Sequence, residues 1–165
     1  LWVSNSFTSA PEYLKVSGED WGLACNAMHF LDMFEFWTDS KLCSIDTTGL
    51  QKKWVPAKRD GSYEIYGKVR ALFENNSLVD LEAQPGHDKY KFDILESGKS
   101  WEIDEQKGFA IRSDGLKVNG RIPYQSEVTG GLIDELLKTE SCSLTTLTDL
   151  FLFLNFSALV TFTSP

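Results

Sequence analysis

His29 and Asp32 are the pair in this sequence with the clearest chemical possibility. Residues i and i+3 share a helix face, so on a helix Asp32 would orient the His29 imidazole as a general base. Cys25 lies one helical turn before His29, a spacing at which an imidazole can draw a thiol toward its nucleophilic thiolate. Both residues also have a plainer reading. His29 would then be a core or interface histidine tied to a carboxylate, and Cys25 a buried thiol or half of a Cys25–Cys43 disulfide. His87, in the turn Gln84-Pro85-Gly86-His87, reads as a surface residue. Glu102, Asp104 and Glu105 form an acidic cluster, but carboxylates on a solvated strand face have no cause for a raised pKa. The sequence contains no G-x-G-x-x-G, P-loop, G-x-S-x-G, H-E-x-x-H or calcium-loop pattern. Without a C-x-x-C pair or paired histidines it offers no metal-ligand spacing either. No cofactor and no metal are expected.

A helix must bring these residues together. Between Trp21 and Trp37, Leu23, Ala27, Phe30/Leu31 and Phe34 recur at helical spacing, with Asp20 placed to cap the start. The expected helix covers about 20–36. Its polar face is thin, limited to Asn26, Asp32 and Glu35, so burial is expected. The alternation of Met28, Phe30, Phe34 and Phe36 also permits a strand over 28–37. Asp32 and Glu35 argue against a membrane span.

The rest of the chain reads mainly as strands. Ser62–Phe73 alternates, with Tyr63, Ile65, Val69, Ala71 and Phe73 on one face. Gly67 stands in that row, where a missing side chain allows a bulge or the close approach of another group. Leu78–Ala83 is the return strand. From His87 to Tyr124, short alternating runs separated by Gly-containing turns read as an antiparallel meander, with Phe92, Ile94, Trp101, Ile103 and Ile111 inward. A second helix is expected over about 129–140 with Thr129 as cap. A final apolar strand is expected within Leu150–Phe162; an anchor signal and a partner-binding segment are its alternatives. The expected fold class is therefore mainly β (a β-rich α+β domain over residues 1–165). Its meander of about 6–8 strands would curl into a barrel or sandwich.

Bulk composition narrows the partners. A net charge of −8 and a pI near 4.7 oppose binding to phosphate backbones, so no nucleic acid is expected. The start at Leu1 without Met and two N-x-S sequons, at Asn75 and Asn155, favour a secreted, extracellular glycoprotein. With a disulfide between Cys25 and Cys43, this gives a small secreted binding protein without enzymatic activity. It would take a small apolar ligand in a pocket lined by Tyr63, Ile65, Val69, Phe92 and Trp101, or bind an extracellular protein or glycan. The alternatives are a small acid/base isomerase, dehydratase or hydrolase using His29 and Asp32, and a cell-surface structural protein.

The order of elements (apolar segment, meander, helix, last strand) is similar to that of the calycins, although the lipocalin G-x-W signature is absent. It is also similar to the cone fold of the nuclear-transport-factor-2 and dehydratase type, which implies a catalytic role for His29 with Asp32. The third architecture it resembles is the β-sandwich of small secreted proteins.

Overall fold

In the computed structural model, which describes residues 1–87 and 89–141, an N-terminal strand occupies the middle of the sheet. This strand, β1 (Tyr13–Glu19), alternates buried Leu14 and Val16 with Tyr13, Lys15 and Ser17, so one row faces the core and the other the opposite side. The chain continues through α1 (Leu23–Thr38), β2 (Leu42–Asp46), and a small separate pair, β3 (Val55–Pro56) and β4 (Tyr63–Glu64). Next come β5 (Gly67–Phe73), β6 (Leu78–Gln84), β7 (Lys89–Glu96), β8 (Lys99–Asp104), β9 (Phe109–Arg112), β10 (Lys117–Asn119) and α2 (Gln125–Thr139). The main sheet has eight strands in the order β10-β9-β8-β7-β1-β6-β5-β2.

This arrangement corrects the expected barrel or sandwich. The sheet is open and mixed: β1 runs parallel to β6 and antiparallel to β7. Strands β6 and β7 are consecutive in sequence, yet β1 separates them, so the meander is broken at its centre. The outer strands β10 and β2 are sheet edges that do not pair with each other. Closure is unnecessary because α1 covers the apolar face. Phe34 meets Phe73 with ring centroids 5.1 Å apart, and Phe30 meets Phe92 at 5.6 Å. The opposite face is polar, as one-sided antiparallel packing allows. Arg70 donates two bonds of 2.7 Å to Asp80, which also accepts from Tyr13, while Lys15 and Lys68 flank Glu82. Burial first, then the bond to Asp80, pushes the Tyr13 hydroxyl up to about 12.

One carboxylate is sealed inside. Glu96, at the end of β7, is 0% exposed. It accepts hydrogen bonds from the Thr8 N–H, the Thr8 hydroxyl (2.7 Å), the Ser9 N–H (3.1 Å) and Trp101 Nε1 (2.9 Å), and lies 3.5 Å from Arg112 Nη1. Burial alone would raise its pKa. The bonds from Thr8, Trp101 and Ser9 outweigh burial and hold it below the ordinary glutamate value.

Gly67 has φ 121°, and a Cβ there would stand 2.4 Å from the carbonyl oxygen of Gly49, which accepts the Lys68 N–H. The expected close approach is therefore real, and the approaching group is backbone. Gly67→Ala is expected to destabilise by about 1–3 kcal/mol, read as a lower urea midpoint with unchanged slope.

Both helices differ from expectation at their starts. For α1, Gly22 with φ 80° holds the N-cap position, not Asp20. For α2, Tyr124 holds it, not Thr129, and Glu127 closes the capping box by accepting the Tyr124 N–H at 2.7 Å. The expected final strand within 150–162, along with Cys142 and Asn155, lies outside the described residues. Among the described residues no helix is long and apolar enough to cross a membrane.

Candidate functional site

The helix α1 divides cleanly by its period of 3.6. Leu23, Ala27, Leu31, Phe34 and Thr38 are buried against the sheet. Cys25, His29, Asp32 and Phe36 fall within one arc on the opposite side. Of these, Cys25 and His29 are exposed, Asp32 is half-buried, and Phe36 is 84% exposed. The structure thus places His29 and Asp32 on one helix face, as the sequence spacing requires, and that face points away from the core. The helix is covered on one side only, which corrects the expectation of burial all round.

The loop that launches α1 is pinned at several points. Trp21 Nε1 donates to the Glu82 carbonyl at 2.8 Å, and Asn26 Nδ2 donates to the Trp21 carbonyl at 2.7 Å. The Glu64 carboxylate, buried on β4, accepts the Ala24 N–H at 2.8 Å and so satisfies one free donor of the first turn. Tyr66 donates to Asp20, whose other oxygen accepts the Gly86 N–H. The Tyr66 bond is the main cause that lowers the Asp20 pKa, and the same bond raises Tyr66 to about 12. Gly22 is required twice over: its φ is left-handed, and a Cβ would stand 2.9 Å from Asn26 Nδ2. These contacts fix where the exposed stripe of α1 stands relative to the sheet.

The residues expected to line an apolar pocket do not converge on one. Ile65, Val69, Phe92 and Trp101 are core residues, and Tyr63 is 62% exposed. Val69 borders a polar groove on the open sheet face, whereas Phe92 borders a cleft on the helix side. Trp101 is committed to Glu96. The expected Cys25–Cys43 disulfide is also corrected, since both cysteines are free and exposed. Cys25 is in the first turn of α1 and Cys43 follows its end, and thirteen residues of helix at about 1.5 Å each separate their ends by roughly 20 Å. A disulfide requires Cα atoms within about 7 Å. Asn75 lies in the exposed turn between β5 and β6, where its side-chain oxygen accepts the Ser77 N–H and hydroxyl. His87 is exposed, as expected, with its N–H bonded to Glu19.

By spacing, Glu105 groups with Glu102 and Asp104 on the expected solvated face. Glu105 actually stands in the β8–β9 turn and turns inward, where burial raises its pKa. The available signal was its position just past the strand end, where alternation no longer fixes direction. Among the described residues no group of three or more His, Cys, Asp or Glu is placed to hold a metal ion.

No family model matches the sequence, and no curated protein matches it. Solved structures do. UDP-N-acetylglucosamine 3-dehydrogenase GnnA from Acidithiobacillus ferrooxidans matches at TM-score 0.60 and 11% identity, over 85% of this chain and 48% of its own. A candidate oxidoreductase of Erwinia carotovora atroseptica matches at 0.59 and 12%, over 96% of this chain and 57% of its own. Another, from Thermotoga maritima, matches at 0.55 and 14%, over 94% and 53%. The chain spans about half the length of the solved structures it matches. At these identities the likeness establishes the fold alone. The expectation of a disulfide-bonded β-barrel binder is nonetheless overturned. Among the described residues the sheet is open, with β10 and β2 as unpaired edges, and Cys25 and Cys43 are free.

Proposed function

We propose that this chain is the substrate-side half of an oxidoreductase acting on a sugar-type alcohol, with the hydride acceptor held by a separate unit. The observation that carries this is the superposition of its sheet and helix on about half of a sugar-nucleotide dehydrogenase. This half does not fit a dinucleotide itself. The sequence lacks the Gly-rich strand-to-helix turn, and among the described residues the sheet has a single parallel pair, β1 with β6, where a dinucleotide fold needs several parallel strands. The part of the chemistry left to this chain is the proton. When a secondary alcohol becomes a ketone, the carbon loses hydride to the acceptor and the oxygen loses a proton to a base. His29 is suited to take that proton: it is exposed toward any unit docked on α1, and Asp32 shares its helix face to orient the ring. Exposed Phe36 extends the same stripe as an apolar contact for the docked unit or the substrate.

The test is a titration of the full chain, by NMR, with a panel of sugar nucleotides and free sugars and separately with NAD⁺ and NADP⁺. Shifts are expected at Cys25, His29, Asp32 and Phe36 with a sugar ligand, and no binding of either dinucleotide below about millimolar concentration. Micromolar binding of a dinucleotide by this chain alone would overturn the division of labour. An α1 stripe silent across the whole panel would overturn the site.

A further inference from the structure

The described residues hold a second feature that proton transfer does not use. A cleft of about 550 Å³ lies between the N-terminal turn Trp2–Ser6, α1, β7 and residues 121–123. Phe30, Met33, Phe92 and Ile122 give it apolar walls. The rings of Phe30, Tyr90 and Phe92 form one cluster, with centroids 5.4–6.3 Å apart. Two polar atoms of cleft-lining residues are buried with no hydrogen-bond partner: Trp2 Nε1 and Glu105 Oε1. Folded proteins pair nearly all such atoms, and these two are complementary, one a donor and the other an acceptor. The charged groups nearby do not satisfy them. Arg121 is committed to Glu127 through bonds of 2.6 and 2.7 Å, and the Leu1 amino group, which attracts Glu105 through its charge, points its hydrogen bond at Met33 Sδ. Burial also favours the neutral form of Glu105, opposed in part by a hydrogen bond from Tyr90.

We propose that this cleft is a binding site for a small hydroxylated ring, an alcohol or a sugar, whose hydroxyl accepts from the Trp2 indole N–H and donates to Glu105. A hydroxyl both accepts and donates and so matches the two atoms in kind, and the C–H face of a saturated ring packs against aromatic walls. The indole is held in place because it lies against the backbone of Gly120, where a Cβ would stand 2.2 Å from the ring. The site does not rest on the oxidoreductase reading, since it uses neither His29 nor a hydride acceptor.

The full chain is titrated with cyclohexanol and with methyl β-D-glucopyranoside while the Trp2 indole N–H resonance is followed. A saturable shift with cyclohexanol identifies an apolar alcohol site, and one with the glucoside identifies a sugar site. Followed through the ring resonances of Phe30 and Tyr90, which also line the cleft, Trp2→Phe, which keeps a ring and removes the donor, and Glu105→Leu, which keeps bulk and removes the acceptor, should each weaken binding at least tenfold. The proposal is overturned if neither probe saturates or if the variants bind as tightly as the parent. It is also overturned if benzylamine binds with dependence on Glu105 but not on Trp2, because that pattern describes an ammonium site. Because the readout is Trp2 and not the α1 stripe, failure here is distinguishable from failure of the proposed activity.

Discussion

On the proposed oxidoreductase activity, replacing His29 with Gln is expected to lower turnover by about 10²–10⁴-fold while the fold stays intact. The side chain is exposed, so its loss should leave the unfolding free energy measured in urea within about 0.5 kcal/mol of the parent. The effect should fall on kcat with KM little changed, because proton removal belongs to the transition state rather than to ground-state binding. His29→Gly with added imidazole should recover part of the rate, which a purely structural histidine would not show. Asp32→Asn should slow the same step less, since it orients the base without receiving the proton. Full activity in His29→Gln would remove the proposed role.

Replacing Glu96 with Leu is expected to cost about 3–5 kcal/mol of stability, a large share of the roughly 5–15 kcal/mol typical of a domain. The substitution leaves the Trp101 indole N–H and the Thr8 and Ser9 amides without their acceptor, and removes the carboxylate 3.5 Å from Arg112 Nη1, although Arg112 keeps its two 2.9 Å bonds to Asp114. Urea titration at neutral pH measures the loss directly. The pH dependence has a fixed sign. Because the native carboxyl titrates below its unfolded value of 4.5, its contribution is complete above about that pH and disappears as pH falls through the native value. The parent should therefore lose more stability on acidification than the Leu variant does. A variant whose acid limb matched the parent's would show that Glu96 does not carry this term.

Local pattern exposed much of this architecture. The strands at 67–73, 78–84, 89–96, 99–104 and 109–112 fall where the period of two places them, since each needs only its own alternation and a turn. The α1 helix was legible from Leu23, Ala27, Leu31 and Phe34 for the same reason. What could not be read was pairing. Nothing in Tyr13–Glu19 says that it enters between β6 and β7, because the partners sit some 65 and more residues away and pairing depends on the whole sheet. That single insertion turned an expected barrel into an open sheet and an expected ligand pocket into core. Within the candidate site, the His29–Asp32 spacing was readable. The exposure of their face was not, because the thin polar stripe of α1 includes Phe36. Glu105 escaped because its direction is set by a turn rather than by a strand.

The central position of β1 also has a kinetic meaning. The β5–β6 and β7–β8–β9 hairpins are built from neighbours in sequence and can form early. Strand β1 must close a far longer loop before it can join β6, so the two halves of the sheet assemble before the strand that unites them. Until it arrives, β6 and β7 each present an unpaired edge, the kind of surface along which chains associate. The interval before β1 inserts is therefore when this protein is most exposed to aggregation. Substitutions that weaken Leu14 or Val16 should lower the yield of folded protein more than their cost to equilibrium stability alone accounts for.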